Sequence, residues 1–256
     1  MTEKRAERLA VLIDADNTPP KIVDGLFEEI AKIGEAAVRR IYGDFSGTQL
    51  GGWAKVLANH AIIPSQNFAN TVGKNATDIA LVIEAMDLLH SGRFDGFCLV
   101  SSDSDFTRLA SRIREQGMHV YGFGEQKTPA SFRQACHRFI YTENLAPVAA
   151  SAEPSADASV EPVRAISASK PLHPLSRARP LIEKAIAQLD AEGGWVFLGA
   201  VGNQLIKLAS DFDPRSYGFP KLSALVEKVG GIDVHVREGG VVFVRTRTNG
   251  TKQVAS

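Results

Sequence analysis

The first part of the chain alternates short apolar runs with amphipathic stretches. Apolar runs that stop at a polar or acidic position predict buried parallel strands, and apolar residues three and four positions apart predict helices between them. The predicted strands are Leu9–Ile13, Val38–Tyr42, Ala61–Pro64, Phe97–Val100, Val120–Phe123 and Phe139–Tyr141. This alternation predicts an α/β fold, in which helices cover both faces of a parallel sheet.

The helices of this part follow from the same spacing. The clearest one covers residues 77–89, and a first helix carries apolar residues from Ile22 to Ile33. Before it, Thr18-Pro19 predicts an N-cap followed by a proline in the first turn. Further helices are expected around Trp53–Leu57, at Ser102–Glu115 and at Thr128–Ala135.

The pattern changes after Leu175. Three short amphipathic helices are predicted around Leu181–Leu189, Leu198–Leu208 and Leu222–Val229. A polar–apolar alternation from Ile232 to Val236, a glycine turn and the run Val241–Val244 then predict a β-hairpin. Three helices followed by a hairpin predict a small winged helix-turn-helix domain.

Between these two parts, residues 146–171 are rich in Ala, Ser and Pro and contain no aromatic side chain. Such a segment buries too little apolar surface to offset its ordering entropy, which predicts a linker. The expected organisation is therefore an α/β domain over 1–146, a disordered linker over 147–171, a winged-helix domain over 172–247 and a flexible tail over 248–256.

Composition and charge reduce the number of function classes that fit the chain. Over the 256 residues the net charge is zero, but residues 1–146 carry a net −2 and residues 172–256 a net +3. A mildly basic C-terminal part fits a nucleic-acid partner. The two cysteines imply no disulfide framework, which is typical of a reducing cytoplasm. The sequence shows no signal-peptide core and no apolar run long enough to span a membrane, so a cytoplasmic protein without a membrane partner is expected.

Four aspartates follow strands or open a helix. Asp14 ends the first strand in LIDADN, Asp103 and Asp105 follow FCLV in SSDSD, and Asp78 opens the helix in NATDIALVIEAMDLL. Open parallel sheets form sites beyond the carboxyl ends of their strands, where the strand order reverses, so these carboxylates are expected in one crevice. Clustered carboxylates suit a hard divalent ion such as Mg²⁺ or Mn²⁺, which binds phosphate and activates water. No His or Cys pair has the spacing of a zinc site.

A structural role is the alternative for each aspartate taken alone. Asp14 and Asp103 both precede helical stretches, where a carboxylate caps the helix N-terminus. Asn17 either holds its turn or binds a metal-bound water. The roles of Asp16, in the same segment as Asp14, and of Asp44, after another strand, stay open.

Residues 8–145 resemble the NYN domains, PIN-like nucleases that include the LabA-like bacterial proteins. The resemblance rests on LIDADN, TDIALVIEAM and VSSDSDF in this order. It implies a PIN-like fold and cleavage of RNA by a metal-dependent endoribonuclease. The acidic cluster that it implies consists of Asp14, Asp78, Asp103 and Asp105, with Asn17 as the polar residue of the first motif. The third motif is commonly Ser-Gly-Asp, and Ser102 replaces that glycine here.

Residues 172–247 resemble the OST-HTH, or LOTUS, domain. The resemblance rests on GGWVFLGAVGNQL and DFDPRSYGFPKLSALVEKVGGIDV. It implies a winged helix that binds RNA or, in some members, protein. The predicted phosphate contacts are Lys207, Arg215, Lys221 and Lys228. Trp195 and Tyr217 are candidates for stacking on bases, with a core or turn role as the alternative. A homodimer and a protein partner of this domain stay open.

Two other function classes compete with a ribonuclease. LIDADNT also fits the Asp-x-Asp-x-Thr start of haloacid-dehalogenase phosphatases, with Asp14 as nucleophile and Asp16 as general acid, although this leaves Asp78 without a role. A non-catalytic RNA-binding regulator could use the same crevice for phosphate. A dinucleotide-binding domain is disfavoured, because LIDADN lacks the glycines that let a backbone approach pyrophosphate.

Overall fold

The computed structural model describes residues 5–46, 48–66, 76–145, 172–189, 191, 194–237 and 239–247. The chain divides into two compact units, Met1–Ala168 and Ser169–Ser256. The predicted linker and the predicted C-terminal tail lie outside the described residues. No helix in the described part is both long enough and apolar enough to cross a membrane.

The first unit contains one six-stranded sheet in which every neighbouring pair is parallel. Its strands are β1 (Glu7–Asp14), β2 (Gly34–Gly43), β3 (Ile63–Gln66), β4 (Gly96–Val100), β5 (His119–Gly124) and β6 (Arg138–Tyr141). They are arranged in the order β3-β2-β1-β4-β5-β6, so the order reverses between β1 and β4. The predicted α/β fold with a parallel sheet is confirmed, and the reversal puts a crevice beyond the ends of β1 and β4.

Helices cover both faces of this sheet. They are α1 (Val23–Ala31), α2 (Gly51–Ala54), α3 (Ala76–His90), α4 (Thr107–Glu115) and α5 (Ala130–Ala135). Helix α1 packs in the same apolar core as Val11, Ile13 and Ile41. Because successive strand residues point to opposite faces, Arg40 lies on the other face, where it pairs with Glu84 of α3. Helix α3 therefore covers the face opposite α1.

The structure differs from the sequence predictions at several element ends. Thr18 does not cap α1, since a 3₁₀ turn (Pro20–Ile22) precedes that helix and the Thr18 hydroxyl donates to the carbonyl of Val100. The helix expected from Ser102 begins as a 3₁₀ turn (Ser104–Phe106) before α4. The third strand begins two residues later than predicted, at Ile63.

The second unit has the predicted three helices and hairpin. The helices are α6 (Leu175–Ala187), α7 (Leu198–Leu208) and α8 (Leu222–Val229), and the hairpin is formed by β8 (Ile232–Val236) and β9 (Val242–Thr246). A two-residue strand that the sequence did not predict, β7 (Val196–Phe197), pairs with β9 and gives the antiparallel order β7-β9-β8. The unit has its own core, which includes Ile182, Leu205, Leu225 and Val244.

Candidate functional site

Asp14 is the buried centre of the acidic crevice. It is the last residue of β1, is 1% exposed and lies on the face that α3 covers, since its neighbour Ile13 belongs to the α1 core. Its Oδ1 accepts hydrogen bonds from the backbone amides of Asp16 and Asn17, at 3.1 and 3.2 Å. Its Oδ2 accepts from the Asn17 side-chain amide at 2.8 Å and from the Ser101 hydroxyl at 2.7 Å. Four donors thus meet the four lone-pair positions of the carboxylate.

Ser101 joins the ends of β1 and β4. It follows the last residue of β4, is 2% exposed, and its backbone amide donates to Phe123 of β5. Its Oγ donates to Asp14 and accepts a hydrogen bond from the Asp103 amide at 3.0 Å. Sequence reasoning missed this residue, although a serine directly after a buried central strand is placed to contact the neighbouring strand end.

Asp103 and Asp105 lie on the turn that follows. Asp103 caps the 3₁₀ turn Ser104–Phe106, and its Oδ1 accepts from the Asp105 amide at 2.9 Å. The capping role that the sequence left as an alternative is therefore real for Asp103, and it leaves the second oxygen of that carboxylate without a hydrogen bond from any described residue. Likewise, no hydrogen bond or ion pair from the described residues reaches the carboxylates of Asp78 and Asp105.

Asp78 shows that these acids share one electrostatic environment. It lies in the first turn of α3, which begins at the carboxyl edge of the sheet. Burial and, to a smaller extent, the negative charges of Asp14, Asp103, Asp105 and Asp16 together raise its pKa to about 6. The four aspartates that the sequence singled out, from β1, α3 and the turn after β4, are therefore close enough to interact electrostatically.

Asp16 and Asp44 lie at the margin of the crevice. Asp16 is exposed, and burial, Asp14 and Asp44 in that order raise its pKa. Asp44 accepts hydrogen bonds from the amide and hydroxyl of Ser46 and from the side chain of Gln66, which lower its pKa. Asp44 therefore holds its own turn against the end of β3.

The acidic side chains of the crevice fit a divalent cation that keeps part of its water shell. No group of three or more His, Cys, Asp or Glu side chains in the described part is arranged to bind one ion directly. Mg²⁺, however, uses one or two carboxylates and keeps several waters. Oxygens of Asp78, Asp103 and Asp105 remain open for this. The pKa of Asp78 is raised first by burial and then by the neighbouring negative charges, and a bound cation would offset both effects. The donor set therefore fits Mg²⁺ or Mn²⁺, while Asp14 must give up a hydrogen bond to bind an ion directly.

Ser102 occupies the place of the glycine in the resembled motif without backbone strain. Ala61 is the only non-glycine residue with positive φ in the described part, so Ser102 needs no left-handed conformation. It is buried, and its Oγ accepts from the Glu125 amide at 2.9 Å. The substitution thus adds a bond between the turn after β4 and the end of β5.

The predicted RNA-binding residues of the second unit differ in whether they already bind a protein group. Lys207, Lys221 and Lys228 are exposed. The Arg215 guanidinium instead binds the buried carboxylate of Asp213 through Nε and Nη2, the latter at 2.6 Å. Arg215 therefore has a structural partner, and its contact with RNA stays a prediction.

Comparison with known proteins identifies both units. The model of the NYN domain matches residues 8–145, more than half of the chain. The chain belongs to the NYN domain family. Residues 173–244 match the OST-HTH/LOTUS domain. Both resemblances inferred from the sequence are confirmed.

Two solved structures are similar to parts of this NYN protein. The crystal structure of a protein of unknown function from Vibrio parahaemolyticus covers 55% of this chain and 96% of its own, at 18% identity and a TM-score of 0.45. The solution structure of an uncharacterised protein from Nitrosomonas europaea covers 38% of this chain and 95% of its own, at 28% identity and a TM-score of 0.29. None of the curated proteins compared with the chain matches it. A nuclease-like NYN domain with an RNA-binding OST-HTH/LOTUS domain indicates a nuclease-related function on RNA.

Proposed function

We propose that this protein is an endoribonuclease that cleaves RNA phosphodiester bonds with a divalent ion, Mg²⁺ or Mn²⁺, bound in the acidic crevice. The observation that carries the proposal is the environment of Asp78, whose pKa is raised by burial and by four other carboxylates. Titratable groups with such strong perturbation cluster at functional sites. Repulsion of this kind is costly unless a cation offsets it.

The protein side chains have separate tasks in this proposal. Asp78, Asp103 and Asp105 offer open carboxylate oxygens to the cation and its waters. Asp14 fixes the crevice through its four hydrogen bonds, three of which come from Asn17 and Ser101. A bound divalent ion activates a water for attack on the phosphodiester and neutralises the charge that develops there.

Exposed cations at the same edge of the sheet complete the substrate site. Lys21 follows β1, Arg108 lies in the first turn of α4, and Lys127 follows β5, and each is exposed. Lys127 also pairs with Glu125 at 2.8 Å, a contact that RNA phosphate would have to replace or share. The carboxyl ends of these strands share one edge, so the three cations flank the acidic crevice from different elements. We assign them to the RNA phosphates on either side of the scissile bond.

The test uses the full chain and a labelled single-stranded RNA. Cleavage should require Mn²⁺ or Mg²⁺, stop with EDTA, and be absent in Asp103→Asn. A matched control is Asp87→Asn, because Asp87 is an exposed acid on α3 that does not contribute to the raised pKa of Asp78. Binding of Mn²⁺ by calorimetry should be lost in the first variant and kept in the second. RNA binding without cleavage under all metal conditions would instead identify a non-catalytic RNA-binding protein.

A further inference from the structure

The outer face of the small sheet in the second unit carries rings and arginines together. Val196 and Val244 are 3% and 0% exposed and point into the core. Because side chains alternate along a strand, their neighbours lie on the opposite face of the sheet. That face carries Trp195, Phe197, Asp233, His235, Arg237, Phe243, Arg245 and Arg247.

Contacts between these side chains confirm that they share one surface, which we call the sheet platform. The Trp195 and His235 rings lie 5.5 Å apart, and the Arg245 guanidinium lies 4.5 Å from the Trp195 ring centre. The Phe197 and Phe243 rings are 6.1 Å apart. The Arg237 guanidinium lies 4.1 Å from the Phe243 ring centre. Rings and guanidinium groups thus follow one another across three strands.

The platform is accessible and positively charged. Phe197, a large apolar side chain, is 49% exposed. The Asp233 carboxylate binds Arg245 at 3.0 Å and Arg247 at 2.9 Å, which fixes both guanidinium groups over the sheet. Three arginines against one aspartate leave a net positive charge on this face.

We propose that the sheet platform binds single-stranded RNA by stacking its bases. The proposal deepens the proposed ribonuclease function, on which it rests for the choice of RNA. Bases of single strands stack on aromatic rings and on guanidinium planes, and a small sheet with four rings accommodates about two or three of them. The arginines supply phosphate contacts beside the rings.

This surface differs from the one that the sequence indicated. Lys207, Lys221 and Lys228 lie on or beside helices α7 and α8, and only Lys221 among these three lines a groove together with a ring of the platform, Phe197. Lysines bind phosphate in single and double strands alike, whereas stacking requires unpaired bases. The platform therefore predicts a preference for single-stranded over duplex RNA, which a lysine surface alone does not.

The position of the two tryptophans gives a direct readout. The chain contains only two, and Trp53 is 1% exposed in the first unit. In EDTA, where no cleavage is expected, an oligouridylate should quench the tryptophan fluorescence of the full chain. A duplex of the same length should quench it much less. Trp195→Phe should remove the quenching while keeping most of the affinity, because it retains a ring, and Trp195→Ala should weaken binding roughly tenfold.

A second measurement separates the platform from the helix lysines. We compare the triple variant Arg237→Gln, Arg245→Gln, Arg247→Gln with the triple variant Lys207→Gln, Lys221→Gln, Lys228→Gln, each of which removes three positive charges. The logarithm of the binding constant for oligouridylate falls linearly with the logarithm of the salt concentration. The arginine triple should reduce this slope by the contribution of about three phosphate contacts, and the lysine triple should change it less. Thermal melts of all variants must stay near that of the wild type, and Phe243→Ala replaces any variant that unfolds.

Two results overturn the proposal. One is bound RNA that leaves the Trp195 fluorescence unchanged. The other is a loss of binding confined to the lysine triple, which would leave the platform to a different partner. Both measurements concern binding in EDTA, so their failure is distinct from a failure of the proposed ribonuclease function, which would appear as absent cleavage in Mn²⁺ with RNA binding intact.

Discussion

Ser101 donates a 2.7 Å hydrogen bond from its Oγ to Oδ2 of Asp14, 87 positions earlier in the chain. The Ser101 Oγ also accepts a hydrogen bond from the backbone amide of Asp103. One hydroxyl thus fixes the spacing between two of the predicted site residues. The bond exists because β1 and β4 are neighbours where the strand order reverses. Residues that orient metal-binding carboxylates in this way tune the site without touching the substrate.

Ser101→Ala should therefore impair RNA cleavage, although it removes only one hydroxyl group. It leaves a buried Asp14 oxygen with one donor fewer and should lower the free energy of unfolding by about 1–3 kcal/mol. Cleavage should fall roughly 10- to 100-fold, as for other changes to groups that orient metal ligands. The neighbouring exposed Ser104→Ala is the control and should keep full activity. Equal activity of both variants would show that the Ser101 bond is not needed to position Asp14.

Asp103→Asn and Asp14→Asn should both abolish RNA cleavage, but with different effects on stability. The Asp103 cap needs one acceptor oxygen, which asparagine retains, so its melting temperature should stay near that of the wild type. Asp14 accepts four hydrogen bonds. In Asp14→Asn, the amide NH₂ group is itself a donor and would lie against groups that also donate. Asp14→Asn should therefore melt at lower temperature. Cleavage assays with parallel melts check both, and full cleavage by both variants would refute the assignment of the metal site.

Asp78→Asn should stabilise the metal-free protein while removing its activity. The folded-state pKa of Asp78, about 6, lies above its ordinary value, so the folded state binds this proton more tightly than the unfolded state. The wild-type protein should consequently gain stability from this group as the pH falls from 7 towards 4. At pH 7 in EDTA the variant should be more stable by about 1 kcal/mol, after allowance for solvent screening. Urea titrations at pH 7 and pH 4 measure the difference, which should shrink at the lower pH.

Two observations would contradict this expectation. If Asp78→Asn is destabilising at pH 7, then burial of the Asp78 charge and repulsion from the neighbouring carboxylates do not destabilise the folded protein at that pH. If the exposed Asp87→Asn on the same helix has the same effect, the gain comes from helix charge in general and not from the crevice.

Asp16 separates the nuclease from the phosphatase interpretation of LIDADNT. In the phosphatase Asp16 would protonate the leaving group, and Asp16→Asn would stop hydrolysis of phosphomonoesters. In the nuclease, p-nitrophenyl phosphate should be hydrolysed barely or not at all, and Asp16→Asn should change RNA cleavage less than Asp103→Asn does. Rapid hydrolysis of p-nitrophenyl phosphate that depends on Asp16 would refute the ribonuclease proposal.

Removing the second unit should weaken substrate capture more than chemistry. Residues 1–146 carry a net −2 and contain all four aspartates, while residues 172–256 carry a net +3. A chain of residues 1–146 should cleave at a similar kcat with a raised apparent KM, because a remote binding module contributes equally to ground and transition states. Steady-state cleavage at low and high salt measures this. A loss confined to kcat would show that the second unit takes part in the chemistry.

The apolar runs predicted the strands because a parallel sheet buried on both faces needs continuous hydrophobic sequence. They could not predict the polar residues at strand ends, such as Glu7 and Arg8 of β1, which add pairing without burial. Nor could they predict β7, whose two residues are too few to show a period. The Thr18 side chain bonds Val100, far along the chain, and only the strand order reveals that contact.

The acids of the candidate site could be proposed from the sequence, whereas the hydrogen bonds that support them could not. Carboxylates after strands 1 and 4 converge in any sheet of this order, so Asp14, Asp103 and Asp105 follow from sequence position. The partner of Asp213, in contrast, depends on side-chain geometry, and the sequence showed Arg215 only as one basic residue among several. The platform escaped notice because its rings come from strands separated by about forty residues and meet only through the register of β7, β9 and β8.

The central place of β1 also has a consequence during protein synthesis. Asp14 is synthesised 87 residues before its partner Ser101, which the acids Asp103 and Asp105 follow. A nascent chain that ends between these positions contains the segments of β1 and β2 but lacks half of the acidic crevice. In the proposed ribonuclease, this division of the acids between the first and fourth strands would delay assembly of the site until β4 and the turn after it have been translated.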